Sequence, residues 1–330
     1  MAYCDSEDLN YLGDIFAVGA RQTPFINAIG SPITDSGQLN SGVVKVVNSF
    51  EFPIAVPVDT GAGSQPSITE ADSVTGQTAN TITRGQDTNT CQIFQRVAEV
   101  SYKKLSTTGT HGISLEGSHN IDGAASGVNV GATSNQVQNE LDFQIMANMK
   151  GMASDLNYSC LRGTYQGAAS VSTAAKTRGL ANGISTNAVA AGSTALTTVH
   201  VNSCIKAMFD SGAPLIDVVA VCNSFQRQSL AALYEFTPQS RTEGGAKIDV
   251  IYTDFAQIAI LCDPSMATDS IYFVEMSVVR ITLCPVNGVL VLVEVKARDG
   301  ASYAKQIYFQ AGLDYGAEEY HGKITGLTTS

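Results

Sequence analysis

Residues 134–163, SNQVQNELDFQIMANMKGMASDLNYSCLRG, carry the longest regular pattern in the chain. Val137, Leu141, Ile145 and Met149 step by four and are continued by Met152, Leu156 and Cys160, which makes one apolar stripe on a helix with a polar back. Ser134 suits an N-cap, Glu140 and Asp142 lie early, and Arg162 lies at the end, as the helix macrodipole favours. The spacing predicts a helix over about 134–162, roughly 43 Å long at 1.5 Å per residue.

The tract at 56–86, VPVDTGAGSQPSITEADSVTGQTANTITRGQ, is its opposite. It has no aromatic residue and no lysine, Arg84 is its only base, and its apolar residues keep no period. A compact domain seldom carries so long a patternless segment unless it is functional or disordered. A short strand is expected before it at Gly42–Val47. After it, in CQIFQRVAEVSYKK (91–104), Phe94, Ala98, Val100 and Tyr102 fall on one side of a strand and Gln95, Glu99 and Ser101 on the other. A long hairpin with 56–86 as its tip is the expectation. Further upstream, Pro24 and Pro32 interrupt AVGARQTPFINAIGSPI, and Phe25, Ile26 and Ile29 read as anchors on an extended arm.

Downstream, 111–133 is a Gly/Ser/Asn-rich loop and 163–195 is weakly patterned. Then STALTTVHVNSCIKAMFDSGAP reads as a helix ending near Gly212, LIDVVAVC as a buried strand, and SFQRQSLAALYEF as a capped helix closing before Pro238. Four strand-like runs follow, KIDVIYTDF, QIAILC, SIYFVE and SVVRITLC, so that 196–285 forms an α+β block. VLVLVEVKARD and the last segment, to Leu327, read as two or three long strands.

The composition narrows the function. Of 330 residues, 44% are hydrophobic, a globular value, yet only 15% are charged, against about 25% in ordinary soluble domains. Surface charge normally keeps a monomer soluble, so this chain reads as one that covers its surface with copies of itself. A net charge of −11 with scattered bases argues against nucleic acid as a tight partner. The run Val46–Thr83 has no base and carries Glu51, Asp59, Glu70 and Asp72. Cysteines 4, 91, 160, 204, 222, 262 and 284 form no metal-ligand spacing and read as free thiols, buried or half-buried, in a reducing cytosol. MAYCDSEDLN lacks the basic and apolar regions of a secretory signal, and no apolar run has membrane-spanning length.

No catalytic constellation stands out. GAEEYHGKI (316–324) has five residues between its glycines and Ile324 after Lys323, where a phosphate loop needs four and a hydroxyl. GISLEG has Glu116 where a nucleophile elbow needs glycine. The histidines 111, 119, 200 and 321 never stand at i, i+4, and the sequon at Asn157 lies inside the long helix. No enzyme activity, cofactor or metal is expected.

Taken in order, these segments resemble the major capsid proteins of tailed bacteriophages, the Hong Kong 97-type fold. RQTPFINAIG resembles the arm, NTCQIFQRVAEVSYKK the descending strand of the extended loop, QVQNELDFQIMANMKGMASDLNYSCL the spine helix, and SFQRQSLAAL the axial-domain helix. DSIYFVEMSVVRI and YHGKITGL resemble the closing strands. The resemblance implies an α+β capsid fold with an N-terminal arm (1–47) and an extended loop (48–105, tip about 56–86). It further implies a peripheral domain (106–195 and 286–330, spine helix about 134–162) and an axial domain (196–285) around the centres of hexamers and pentamers. It implies self-assembly in a bacterial host's cytoplasm into a head shell, with a separate scaffolding protein, a portal and a cement or decoration protein as partners, and no membrane.

The loop tip would lie over a neighbouring subunit, with Phe25 and Ile26 of the arm as further contacts. The family's namesake crosslinks a loop lysine to a neighbour's asparagine, but residues 46–95 contain no lysine, so that chemistry does not carry over. No charged helical pro-segment precedes the arm, so no fused scaffolding domain is expected. Acidic Asp59, Glu70 and Asp72 are expected to meet bases of an adjacent subunit, with Lys150, Arg162, Lys296 and Arg298 as candidates and Arg84 as the tip's own base. An encapsulin compartment on the same fold is the alternative; an α/β enzyme centred on 196–295 and a receptor-binding or decoration protein have no motif in their favour.

Overall fold

The computed structural model describes residues 23–30, 40–56, 65–75, 85–103, 140–234, 237–243, 246–297 and 300–329. In chain order its elements begin with α1 (Pro24–Ile29), β1 (Val44–Val46), β2 (Glu51–Ile54), α2 (Glu70–Val74), β3 (Asp87–Thr90), β4 (Gln92–Ser101) and α3 (Glu140–Arg162). They continue with α4 (Leu180–Gly183), β5 (Ala188–Thr194), α5 (Thr198–Asp210), β6 (Val218–Cys222), α6 (Ser224–Leu233), β7 (Thr237–Glu243), β8 (Ala246–Tyr252) and β9 (Gln257–Cys262). Last come β10 (Ile271–Glu275), β11 (Arg280–Leu283), β12 (Val291–Val295), β13 (Ser302–Asp314) and β14 (Gly322–Leu327).

Two sheets carry the molecule. In the first, β13 is long enough to pair along one edge with β4 and along the other with β12 and then β11, with β1 outside β11. Helix α3 packs on β4 and β13. The stripe read from the sequence is its buried face at Ile145, Met152, Leu156 and Cys160, whereas Met149 turns outwards at 37% exposure. Ser134 and Val137 lie outside the described residues. On β4, Phe94 and Ala98 are buried in the core they share with the helix, Val100 is buried too, and Gln95, Glu99 and Ser101 face out, but Tyr102 is exposed and stands edge-on to Tyr303.

The second sheet has the order β5-β14-β10-β6-β9-β8-β7. Every residue of β6 is buried because the sheet is covered on both faces. Val219 and Val221 join the core shared with α3 and the first sheet, whereas Val218, Ala220 and Cys222 join a second core beneath α5. Each of the three valines, fully buried, stabilises the fold by about 1.5–3 kcal/mol. Helices α5 and α6 start at Thr197 and Asn223, whose side chains accept from His200 N–H and Gln226 N–H, and Gly212 (φ +81°) follows the end of α5.

The strands divide between the sheets differently from the sequence blocks. β5 and β14 come from outside 196–285 yet complete the second sheet, and β11 from inside that block belongs to the first. Periodicity marks a strand but not its neighbour, and β14 finds β10 and β5 only through tertiary pairing. β7 contains Pro238 and was not expected; it is an edge strand, where a missing N–H is tolerated.

Candidate assembly surfaces

The hairpin stem β2–β3 is fixed to its own chain. Phe52 and Ile54 are buried. The Asn89 side chain donates to the Leu313 and Arg178 carbonyls and accepts from the Arg178 N–H at 2.7 Å. Arg178 pairs with Asp87 and lies over the Tyr165 ring, and Lys45 bonds both the Pro53 carbonyl and Asp314. Gly312 lets the stem lie on β13, since a Cβ there would stand 2.9 Å from the Phe52 ring and 3.0 Å from the Thr90 carbonyl. Gly312→Ala is therefore expected to cost about 1–3 kcal/mol by overpacking, read as a lower urea midpoint; an unchanged midpoint would show that the stem is not held there.

Beyond the stem the character changes. Every described residue from 65 to 75 is exposed, Ile68 at 59% and Val74 at 85%. The single turn α2 holds itself together by a capping box, in which Thr69 and Asp72 each bond the other's backbone N–H. Hydrogen bonds from the Thr69 hydroxyl and backbone hold the Asp72 carboxyl below its ordinary value, so its charge persists in mild acid. Glu70 stands beside it on the same exposed turn. Asp59, Arg84 and Arg298 lie outside the described residues.

The arm residues have a different role from the one expected. Phe25 is fully buried in this chain's own core, so it is not a surface anchor. Its N–H donates to Asp263 Oδ2 at 3.1 Å, and the Ile26 N–H donates to Asn157 Oδ1 at 3.2 Å. Asn157 in turn donates to Asp263 Oδ2 at 2.8 Å, and the Ser265 N–H satisfies Oδ1. A carboxylate at the end of β9 and an amide on α3 thus supply acceptors for N–H groups that a first helical turn leaves orphaned. The other expected bases are dispersed: Lys150 half-buried on α3, Arg162 exposed at its end over the Tyr158 ring, and Lys296 exposed just beyond β12.

The chain passes between the sheets at several places, and polar side chains bind three of them together. Glu318 accepts from the N–H and hydroxyl groups of Ser185 and Thr186. Burial works against its charge, but these bonds prevail and hold it below the ordinary carboxylate value. Asn187 donates to the Glu319 and His321 carbonyls. His321, fully buried, accepts from the Glu275 N–H at Nδ1, so Nε2 carries the proton donated to the Tyr315 carbonyl at 2.6 Å. Glu275 accepts from the Ile216 and Asp217 N–H groups and the Ser277 hydroxyl. GAEEYHGKI is therefore a joint between chain segments.

The described cysteines are free, and burial pushes the thiols of Cys91, Cys160, Cys204 and Cys222 up to about 12. No cluster of metal-ligating side chains occurs among the described residues, and no helix among them is long and apolar enough to cross a membrane. The stem is thus held to its own chain, while the described residues 65–75 are exposed throughout. The SU10 major capsid protein family matches residues 4–328.

The chain belongs to that family.

As a major capsid protein it assembles with copies of itself into a phage capsid shell. Its fold is shared with the Cyanophage A-1(L) capsid asymmetric unit (TM-score 0.61, 11% identity, 93% of each chain covered). It is shared also with a structure from Mycobacterium phage Cain (TM-score 0.53, 12% identity, 100% of this chain and 95% of that one). The holo-SrpI encapsulin complex from Synechococcus elongatus PCC 7942 is similar too (TM-score 0.55, 8% identity, 88% and 86% covered). No curated protein sequence matches the chain. The fold is the Hong Kong 97-type capsid fold expected from the sequence.

Proposed function

We propose that the major capsid protein builds an icosahedral head shell from hexamers and pentamers, assembled in the bacterial cytoplasm with a separate scaffolding protein and a portal, and with a cement or decoration protein on the finished head. In this reading it carries no enzyme activity, cofactor or nucleic-acid site. The family match over residues 4–328 carries the reading; the encapsulin likeness rests on fold alone. The second sheet with α5 and α6 corresponds to the axial domain, and the first sheet with α3 to the peripheral domain.

The loop tip laces the shell without a covalent bond. Ile68 and Val74 supply apolar contacts, and Glu70 and Asp72, with Asp59, face bases on the α3 helix of a neighbour, Lys150 and Arg162. Exposed ion pairs are worth about 0–1 kcal/mol each, so the apolar contacts dominate and raised salt weakens only the remainder. The test is size-exclusion chromatography with negative-stain electron microscopy of the chain co-expressed with its scaffolding protein. Closed shells are expected; a chain that stays monomeric with its scaffold would overturn the reading. Changing Ile68 and Val74 together to aspartate should leave the melting of the isolated subunit unchanged, since surface substitutions shift stability by about 0.5 kcal/mol or less, while shell yield falls at least tenfold. Wild-type yield from that variant would remove the tip from the interface.

A further inference from the structure

Strand β12 ends the first sheet with one edge open: among the described strands it pairs only with β13. The Lys296 N–H donates to the Ala304 carbonyl at 3.0 Å, and antiparallel pairs alternate between bonded and non-bonded positions. Residues 292, 294 and 296 therefore direct their backbone groups at β13, and Val291, Val293 and Val295 direct theirs outwards. The valine side chains of this stretch are exposed as well. Val289, Val291, Val293 and Val295 are 43%, 47%, 42% and 73% exposed. They share a face with Ile307, which is buried on the α3 side of the sheet, but the helix packs on β4 and β13 and leaves them uncovered. The strand is set up by a tight hairpin at Asn287–Gly288, both with positive φ, whose flanking residues Val286 and Val289 exchange backbone bonds at 2.9 Å.

An isolated edge charge protects a strand from unwanted pairing. A stripe of alternate valines over open N–H and C=O groups invites it. We propose that β12 is a seam between subunits, where β12 of a second copy adds antiparallel across a two-fold axis. The charges select the register. For outward-facing residues to meet one another, the axis must pass through a residue. Centred on Glu294 or on Lys296, the pairing sets like charges face to face; centred on Val293, it sets Glu294 against Leu292. Centred on Val295, the most exposed of the four, it places each Glu294 opposite the other copy's Lys296 and lays Val295 beside itself. The two five-stranded sheets then become one continuous sheet. A two-fold contact uses the same patch on both partners, unlike the head-to-tail contacts that close a ring, so the seam joins one ring to the next. Lys296 is thereby used between copies and is not a seat for the acidic tip. The inference rests on the capsid reading.

Crosslinking of shells tests it. At a non-bonded antiparallel position the Cα atoms lie about 4.5 Å apart, within disulfide range, whereas Glu294 and its own counterpart would be about 8 Å apart. Mild oxidation of full-length shells carrying E294C and K296C together should give a covalent dimer on a non-reducing gel, and neither single variant nor the wild type should. For a case in which the double variant does not assemble, wild-type shells made from mixed light and heavy isotope subunits are treated with a carbodiimide. A Glu294–Lys296 amide between light and heavy chains is then expected by mass spectrometry. Shells that form without either link, or that link β12 to residues 65–75 or to another protein, overturn the seam and leave the capsid reading intact. A chain that neither assembles nor links fails on both counts.

Discussion

Phe25→Ala should destabilise the unassembled subunit by about 3–5 kcal/mol, the range for emptying a well-packed aromatic site. Phe25 is completely buried among residues that include both sheets and α3, so its removal leaves a void that rigid neighbours cannot close. The loss extends to the polar clamp beneath it. Without the ring, α1 has little to hold it on the body, and Asp263 and Asn157, both fully buried, lose the N–H groups they satisfy. Urea unfolding of dissociated subunits, followed by circular dichroism, measures this directly. A loss under about 1 kcal/mol would mean that α1 is not part of the cooperative unit, and its docking on Asp263 would have to be abandoned.

The second large effect is acid sensitivity through His321. Burial pushes its imidazole down to about 4 from an ordinary 6.5, although the Tyr315 carbonyl and the Glu318 charge both favour the proton. Protonation would put a hydrogen on Nδ1, facing the Glu275 N–H that Nδ1 now accepts. Because the folded value is the lower one, the unfolded chain binds the proton more readily between the two. The stability contributed by neutral His321 is complete above pH 6.5 and is lost as pH falls towards 4, about 3 kcal/mol in all. His321→Gln cannot titrate, so the stability difference between wild type and variant should change by that amount across the window. Parallel curves for the two proteins from pH 7 to pH 4 would remove His321 from the acid response.

Much of this architecture could be read from single residues. The burial of Ile145, Met152, Leu156 and Cys160, and of Phe94, Ala98 and Val100, follows from period alone, because helices and strands expose one face by geometry. Met149 departs because it lies at the flank of the helix, where the stripe drifts past the sheet. β5 was hidden because AVAAGST has little apolar contrast, and β7 because Pro238 reads as a breaker until the strand is known to be an edge. Phe25 was legible as an anchor but not as an internal one, since its acceptor Asp263 lies 238 residues away. The joint around His321 was illegible for the same reason. Glu318 finds Ser185 across 133 residues, and no local pattern records such a pairing. The exposed tip was the clearest feature, because a segment without periodicity has no core to join.

The place of the last strands in the two sheets also sets a timetable for synthesis. β13 is the strand on which β4, β11 and β12 all pair, and β14 separates β5 from β10. Neither sheet can close until residues 302–327 have left the ribosome, and α1 must wait for Asp263. A chain that stops before residue 302 therefore lacks the strand on which β4, β11 and β12 pair and the strand between β5 and β10. The strand order thus couples closure of both sheets to the same late segment.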